Sequence, residues 1–271
     1  MVDHQAGSAD QPAASGILHP AKPKHGIGAI ETGMLLLRVL ASTDEPMPLK
    51  AIAAAAGMPP AKAHRYLASF AASEMVVQER KSGRYDLGPM ALRVGVAAIR
   101  RHDTIARACN GLTALRDAIR ATCFVAGWSD RGPLVLRWED SLRPVTVIVA
   151  VGSTLPLLTS ATGRAFLGFL PEARIAAVLE RERLAAGLSR EALAERVASI
   201  RRAAAETGFG RTRGAFQNGI AALSVPLRDP FGAMVGAVTA LGREEEFDAD
   251  AKGPVARLLT RHAAGLGDGD R

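Results

Sequence analysis

One short stretch of the chain sets cationic side chains among small ones, a combination that could bind a polyanion. The stretch is PPAKAHRYLASF, residues 59–70, and its prolines suit the first turn of a helix. Drawn at about 100° per residue, this helix has an apolar stripe and an opposite face of small and cationic residues. The stripe contains Ala63, Leu67, Phe70 and Ala71. The opposite face contains Ala61, Lys62, Arg65, Ser69 and Ala72, with His64 at its margin.

This face is suited to reading double-stranded DNA. Small residues let the helix backbone approach a surface while long cations reach forward, and the major groove, about 12 Å wide, accepts one helix. The alternative is a solvated face, which would more often carry glutamates; the next acidic residue is Glu74. We predict DNA contacts from Lys62, His64, Arg65 and Ser69.

A second basic segment follows directly. MVVQERKSGRYDLG, residues 75–88, alternates like two short strands around a Lys-Ser-Gly turn. Its cations could touch phosphate or reach the minor groove, although a basic turn can also serve solubility alone. From this hairpin we predict Lys81 and Arg84 as DNA contacts.

A group of hydroxyl residues marks a different kind of site. Thr159, Ser160 and Thr162 cluster at the start of a predicted helix, where unpaired N–H groups and the positive dipole end favour a carboxylate. The alternative is that Thr159 or Ser160 merely caps the helix. A predicted strand with Ile220 and Ala222 offers an apolar wall to the same site.

Two cations strengthen the case for an acidic ligand. Arg211 and Arg213 precede the apolar strand, and their own segment has no carboxylate to neutralise them. An aromatic or similarly apolar carboxylate would satisfy both wall and cation, so we predict a small carboxylate effector.

Signatures of enzymes and metal centres fail their structural context. GIGAIE begins like the dinucleotide-binding motif G-x-G-x-x-G, but Glu31 stands where the last glycine should be and no predicted strand precedes it. GFGRTRG fails as well, because it follows a predicted helix and not a strand. Beyond residue 64 only His102 and His262 remain, so no catalytic triad can be argued. Cys109 and Cys123 lack C-x-x-C spacing. We predict no catalytic residues, no metal and no cofactor.

The length and net charge of the chain indicate how many domains it has and what kind of partner it binds. A chain of 271 residues is comfortable for two domains. Its net charge is +7, and residues 22–103 hold twelve Lys and Arg against seven Asp and Glu, which indicates a polyanion partner there unless this is only a basic solvated face. With no apolar run of a signal peptide or membrane span, we expect a cytoplasmic protein with no membrane partner.

The N-terminal elements can position the basic residues. Residues 1–25 have the composition of a disordered arm. Three helices and the basic hairpin then predict a winged helix-turn-helix over residues 26–88. PMALRVGVAAIRRH continues as a linker helix over residues 89–103, apolar on nearly every side, which predicts packing against a partner chain.

Residues 104–271 predict an α+β sensor-like domain in which helices bracket an antiparallel sheet. We expect a helix over residues 104–121 and strands at TCFVAGWS, GPLVLRWED and VTVIVAVG. Helices follow at residues 160–168, 171–183 and 190–207, then strands at GIAALSVPLRD and AMVGAVTALG, and a closing helix over residues 248–265.

These segments resemble the IclR family of bacterial transcriptional regulators. LKAIAAAAGMPPAKAHRYLASFAASEMV with RYDLGPMALRVG resembles its DNA-binding half, and VGSTLPLLTSATGRAFLGFLP with ETGFGRTRGAFQNGIAALSVPLRDPFGAMVGAVTALG its effector-binding half. The match runs over about residues 26–265 in the family's order. It implies a winged helix-turn-helix, a dimerising linker helix, a GAF-like effector domain, and a homodimer or dimer of dimers on palindromic operators.

Individual positions carry over from the resemblance. Lys62, His64 and Arg65 match recognition-helix positions, while Pro60 and Ala61 stand where members often have Arg and Ser. The positions that resemble the effector pocket are Ala161, Thr162, Thr212, Ile220, Ala222, Thr239 and Leu241. Many members carry an acidic pair within the segment that here reads RTRGAF, where this chain has Thr212 and Arg213 instead. Because of that difference, the resemblance favours an aromatic acid over a small hydrophilic keto acid as the ligand.

The combined expectation is a ligand-responsive DNA-binding regulator, repressor or activator, that senses a small organic acid and controls a catabolic operon. A DNA-binding protein of nucleoid type that responds to no ligand remains an alternative. A small-molecule enzyme or a sensor without operator affinity is the second alternative.

Overall fold

From residue 27 on, the N-terminal part contains three helices and a hairpin. The computed structural model describes residues 27–142 and 145–266, so the predicted arm at residues 1–25 lies outside the described residues. The elements are α1 (Gly28–Leu40), α2 (Leu49–Ala55), α3 (Pro60–Ala72), β1 (Val76–Gln78) and β2 (Tyr85–Leu87). After α2 the chain turns at Gly57, whose φ of +64° is left-handed and favours glycine.

A small apolar core joins these elements. Its buried side chains include Leu36, Leu40, Ile52, Ala63, Leu67, Val76 and Tyr85. The hairpin is antiparallel, with Val76 opposite Leu87, and a bridge between Met47 and Tyr85 ties it to the segment before α2. Helices followed by a tied antiparallel hairpin form the expected winged helix-turn-helix.

The buried stripe of α3 is narrower than predicted and is rotated. Ala63 and Leu67 are fully buried, but Ala71 is exposed and Tyr66 is half-buried in its place. The cause is Gly33 on α1, because a Cβ there would lie 2.9 Å from the ring of Phe70 and 3.5 Å from that of Tyr66. Because Gly33 has no side chain, the rings of Phe70 and Tyr66 both pack against α1. The buried face of α3 is therefore rotated toward Tyr66.

The next helix, α4 (Pro89–Arg100), has an unusual surface. None of its residues is buried within the chain. Its apolar side chains face several directions, and Leu92 is 70% exposed. This exposure agrees with the apolar all-round pattern of the sequence.

Beyond α4, five strands form an antiparallel sheet in the order β4-β3-β7-β6-β5. The strands are β3 (Thr122–Ser129), β4 (Gly132–Glu139), β5 (Gly210–Arg213), β6 (Ile220–Arg228) and β7 (Met234–Arg243). The helices are α5 (Asp103–Asn110), α6 (Leu112–Ile119), α7 (Ala161–Phe169), α8 (Glu172–Ala185), α9 (Arg190–Thr207) and α10 (Pro254–Ala264). The predicted α+β class is confirmed.

Two apolar cores lie on the two faces of this sheet. One contains Cys123 and Val125 of β3 together with residues of α5, α6 and α10. The other contains Phe124 and Ala126 with residues of α7, α8 and α9. Side chains alternate across a strand, so β3 serves both cores in turn.

One strand prediction was wrong, and one strand was missed. The segment VTVIVAVG lies outside the sheet, and the only ladder contact nearby in the described chain is a bridge between Leu134 and Thr154. Its alternation instead places Val145, Val147 and Val149 against the second core, while Ile148 is 93% exposed. Conversely β5, which was not predicted, pairs with β6.

Two helix boundaries also differ from the prediction. The helix expected over residues 104–121 is broken at Gly111, where a Cβ would lie 2.8 Å from the ring of His262 on α10. The last helix begins at Pro254 rather than at Asp248, because the Asp248 and Asp250 carboxylates accept hydrogen bonds from backbone N–H groups two residues ahead. Such turns compete with a helix.

Candidate effector cavity and DNA-binding surface

Strand register gathers residues from distant parts of the chain around one cavity, here called the effector cavity. Thr212 lies opposite Ala222, and Ala222 lies opposite Leu241, which forms a row across β5, β6 and β7. Thr239 lies opposite Phe124 in the row beside it. The cavity is lined by Phe124, Val147, Val149, Leu155, Ser160, Ala161, Thr162, Thr212, Phe216, Ile220, Ala222, Thr239 and Leu241.

The start of α7 supplies the polar end of the cavity. The Ser160 hydroxyl accepts a hydrogen bond from Gly163 N at 2.8 Å and donates one to the Pro156 carbonyl at 2.6 Å, so the capping role considered from the sequence is real. The N–H groups of Ala161 and Thr162 have no hydrogen-bond partner within residues 27–142 and 145–266. These two groups are the unpaired donors that a helix start can offer to an anion.

A buried chain of hydroxyls crosses from α7 to the sheet. The oxygens of Thr162 and Thr239 are 2.8 Å apart, and Thr239 donates to Ser224 Oγ at 2.9 Å. Since the single Thr239 hydrogen is thereby used, Thr162 is the donor of the first bond. The Thr162 oxygen keeps its lone pairs for a hydrogen bond from another group.

Two loops cover the cavity, and the sequence did not predict that either one lines it. Val147 and Val149 reach it from the segment after β4, and Phe216 reaches it from the loop between β5 and β6. The Gln217 side-chain amide donates to the Thr146 carbonyl at 2.7 Å and joins the two loops. The alternation of valines could have indicated one buried face, but nothing local indicated what it covers.

Two predicted site residues lie outside the cavity. Thr159 is half-buried before α7 and does not line it. Arg211 is exposed on the opposite face of β5, because the side chain of its neighbour Thr212 points inward. The idea that Arg211 neutralises an effector carboxylate here is therefore corrected, and the same alternation leaves Arg213 outside.

The effector cavity is small, with a volume of about 30 Å³. That is room for about one or two water molecules. Sites for small organic ligands commonly measure about 300 Å³ or more. An aromatic acid would therefore need the two covering loops to move.

The predicted DNA contacts lie on the surface of the N-terminal part. Lys62, His64, Arg65 and Ser69 are all exposed on α3, and Lys81 and Arg84 are exposed around the β1–β2 turn. Arg84 Nη1 donates to the Pro46 carbonyl at 3.1 Å, which fixes one edge of its guanidinium. Among the described residues, none of these cations forms a salt bridge.

No cluster of three or more His, Cys, Asp or Glu side chains suited to a metal ion occurs in the described part of the chain. No helix there is long and apolar enough to span a membrane.

Comparison with known proteins gives the same arrangement of parts. Residues 29–80 match the family model of the IclR helix-turn-helix domain, and residues 96–266 match that of the bacterial transcriptional regulator IclR C-terminal domain. The glycerol operon regulatory protein of Streptomyces griseus is 30% identical over 241 residues, which cover 86% of this chain and 91% of that protein.

Solved structures of similar proteins also match this chain. Pseudomonas aeruginosa HmgR is 36% identical, with a TM-score of 0.55 and coverage of 89% of this chain and 97% of that one. An IclR homolog from Microbacterium hydrocarbonoxydans, crystallised with 4-hydroxybenzoate, shares the fold at 19% identity, with a TM-score of 0.67 and coverage of 88% and 97%. The chain belongs to the IclR family of bacterial transcriptional regulators.

Proposed function

We propose that this regulator responds to a small organic acid, most simply an aromatic one, that binds in the effector cavity. The observation that carries the proposal is the meeting of unpaired N–H groups of Ala161 and Thr162 with an apolar wall in one cavity. The first feature favours a carboxylate and the second favours a ring. The 4-hydroxybenzoate bound by the M. hydrocarbonoxydans homolog supports this class of ligand.

In this proposal the carboxylate accepts from the two N–H groups at the start of α7. The ring lies between Phe124 and Leu241. Binding displaces the two covering loops, which hold Val147, Val149 and Phe216, because the cavity as it stands is too small for a ring. That displacement is the structural change by which the ligand alters operator affinity.

On the DNA side, we place α3 in the major groove and the β1–β2 turn against phosphates. A palindromic operator then requires a homodimer or a dimer of dimers, for which the uncovered apolar surface of α4 is the proposed contact. Control of a catabolic operon in the cytoplasm fits the S. griseus relative, an operon regulator. We infer no catalytic role for the chain.

Calorimetry tests the effector proposal. The full chain should bind 4-hydroxybenzoate or benzoate more tightly than pyruvate or glycerol, and binding should change its affinity for an operator selected from random duplexes. Ala222→Leu should abolish binding because it fills the cavity, whereas Ala192→Leu, exposed on α9, should not. Unchanged affinity in a folded Ala222→Leu variant would place the ligand elsewhere.

A second candidate is a DNA-binding regulator that responds to no ligand. The small volume of the effector cavity, about 30 Å³, favours it. The same calorimetry distinguishes the two candidates, since this one predicts no heat with any organic acid and operator affinity independent of all of them.

A further inference from the structure

A second cleft lies on the other side of the elements that border the effector cavity. It is enclosed by α7, α9 and β5 and measures about 280 Å³. Arg164 lies two positions after Thr162 on α7, about 200° around the helix, and Arg211 precedes Thr212 on β5. Thr162 and Thr212 therefore face the effector cavity, while Arg164 and Arg211 face this second cleft.

The cleft is strongly cationic. Arg164, Arg196 and Arg211 all line it, and no carboxylate of the described residues does. None of the three forms an ion pair within residues 27–142 and 145–266. Burial, followed by the nearby charge of Arg196, lowers the pKa of Arg164. An anion held among these groups would relieve their mutual repulsion.

One of the three guanidinium groups is already fixed in place. Arg164 Nε donates to the Leu158 carbonyl at 3.2 Å, and its Nη1 donates to the Arg211 carbonyl at 2.8 Å. The side chains of Arg196 and Arg211 are exposed and make no hydrogen bond in the described chain, so they can close over a ligand. A fixed cation with two adjustable ones suits a ligand with several acceptor oxygens.

The cleft also has an apolar floor. Ile200 of α9 and Phe209 before β5 are buried beneath it, and the exposed Ser199 stands at its edge. A volume of about 280 Å³ is close to the roughly 300 Å³ at which small-molecule sites begin. The cleft thus has room for a short carbon skeleton in addition to an anionic group.

We propose that this cleft binds a small phosphate monoester, with the phosphate against Arg164, Arg196 and Arg211 and the carbon skeleton over Ile200 and Phe209. Guanidinium forks match phosphate oxygens in pairs, and a phosphate monoester carries up to two charges with three terminal oxygens. The proposal stands independently of the effector proposal, because the two sites share walls but no facing side chain.

Isothermal calorimetry on the full chain tests the site, at constant ionic strength so that general screening is the same throughout. The probes are phenyl phosphate, inorganic phosphate and benzoate. We expect phenyl phosphate to bind more tightly than inorganic phosphate, since only the ester covers the apolar floor. Equal affinities would overturn the carbon-skeleton part of the proposal, and tighter binding of benzoate in an arginine-dependent manner would overturn the phosphate assignment.

Variants of exposed arginines supply the site control. Arg196→Gln and Arg211→Gln should each weaken phenyl phosphate by about tenfold or more, since each removes a charge-assisted hydrogen bond. Arg202→Gln, on the same helix but outside the cleft, should match the wild type. Equal losses in all three variants would indicate nonspecific attraction, and a loss of duplex DNA affinity in Arg196→Gln would overturn the small-ligand assignment.

Discussion

Replacing Thr162 with valine removes one hydroxyl from a buried hydrogen-bonded chain while nearly keeping the side-chain shape. The Thr162 and Thr239 oxygens are 2.8 Å apart, and both residues are 1% exposed. In the variant, the Thr239 hydroxyl still donates to Ser224 but no longer accepts a hydrogen bond from residue 162. A buried polar group that loses its partner costs about 1–3 kcal/mol, so we expect the free energy of unfolding to fall by that amount.

Urea unfolding followed by tryptophan fluorescence measures this change in the free energy of unfolding for the sheet that contains Thr239. The chain has 2 tryptophans, and Trp128 on β3 and Trp138 on β4 both lie in the sheet that contains Thr239. The fluorescence signal therefore reports unfolding of this sheet and not of the N-terminal part.

A double-mutant cycle with Thr239→Val decides whether the hydrogen bond is the cause. If Thr162 donates to Thr239, the two single changes should couple by about 1 kcal/mol, and the double variant should be less destabilised than their sum. Strictly additive effects would refute the hydroxyl chain, because each change would then act through packing alone.

Four further substitutions test other parts of the molecule. Arg65→Ala should lose about 1–3 kcal/mol of discrimination between operator and random duplex if Arg65 contacts a base. Lys81→Ala should instead lower the slope of log DNA affinity against log salt concentration by about one. Unchanged DNA titrations of both variants would remove α3 and the turn from the interface. Val96→Asp should give folded monomers in sedimentation, because Val96 is 46% exposed on α4; a monomeric wild type would contradict this. Burial lowers the pKa of His262, so the unfolded chain binds more protons and stability should fall as pH drops through about 6.5; His262→Gln should flatten that slope in thermal melts.

Elements with local signals could be predicted closely. For α9, Ser189 caps the start through a bond to Ala192 N, and Gly208 ends the helix at a φ of +80°. Both signals are visible in the sequence. By contrast, β5 has 4 residues and exists through its pairing with β6, a contact that no local pattern encodes.

The site was predictable only in part for the same reason. Thr212, Ala222 and Leu241 share a face because of strand register, and the family resemblance supplied what the single sequence could not. Arg211 was assigned by charge without regard to strand alternation, which turns it away from the effector cavity. Phe124 and Phe216 come from elements whose approach depends on the finished fold.

The alternation along β5 constrains what mutation can do to this strand. Substitutions at Thr212 alter one cavity and substitutions at Arg211 alter the other, so the two can diversify separately. Inserting or deleting one residue within Gly210–Arg213 would instead exchange the two faces, sending a guanidinium into the apolar core and a hydroxyl to the surface. The length of this strand is therefore more strongly constrained than its composition. We expect variants with an insertion or deletion within the strand to misfold.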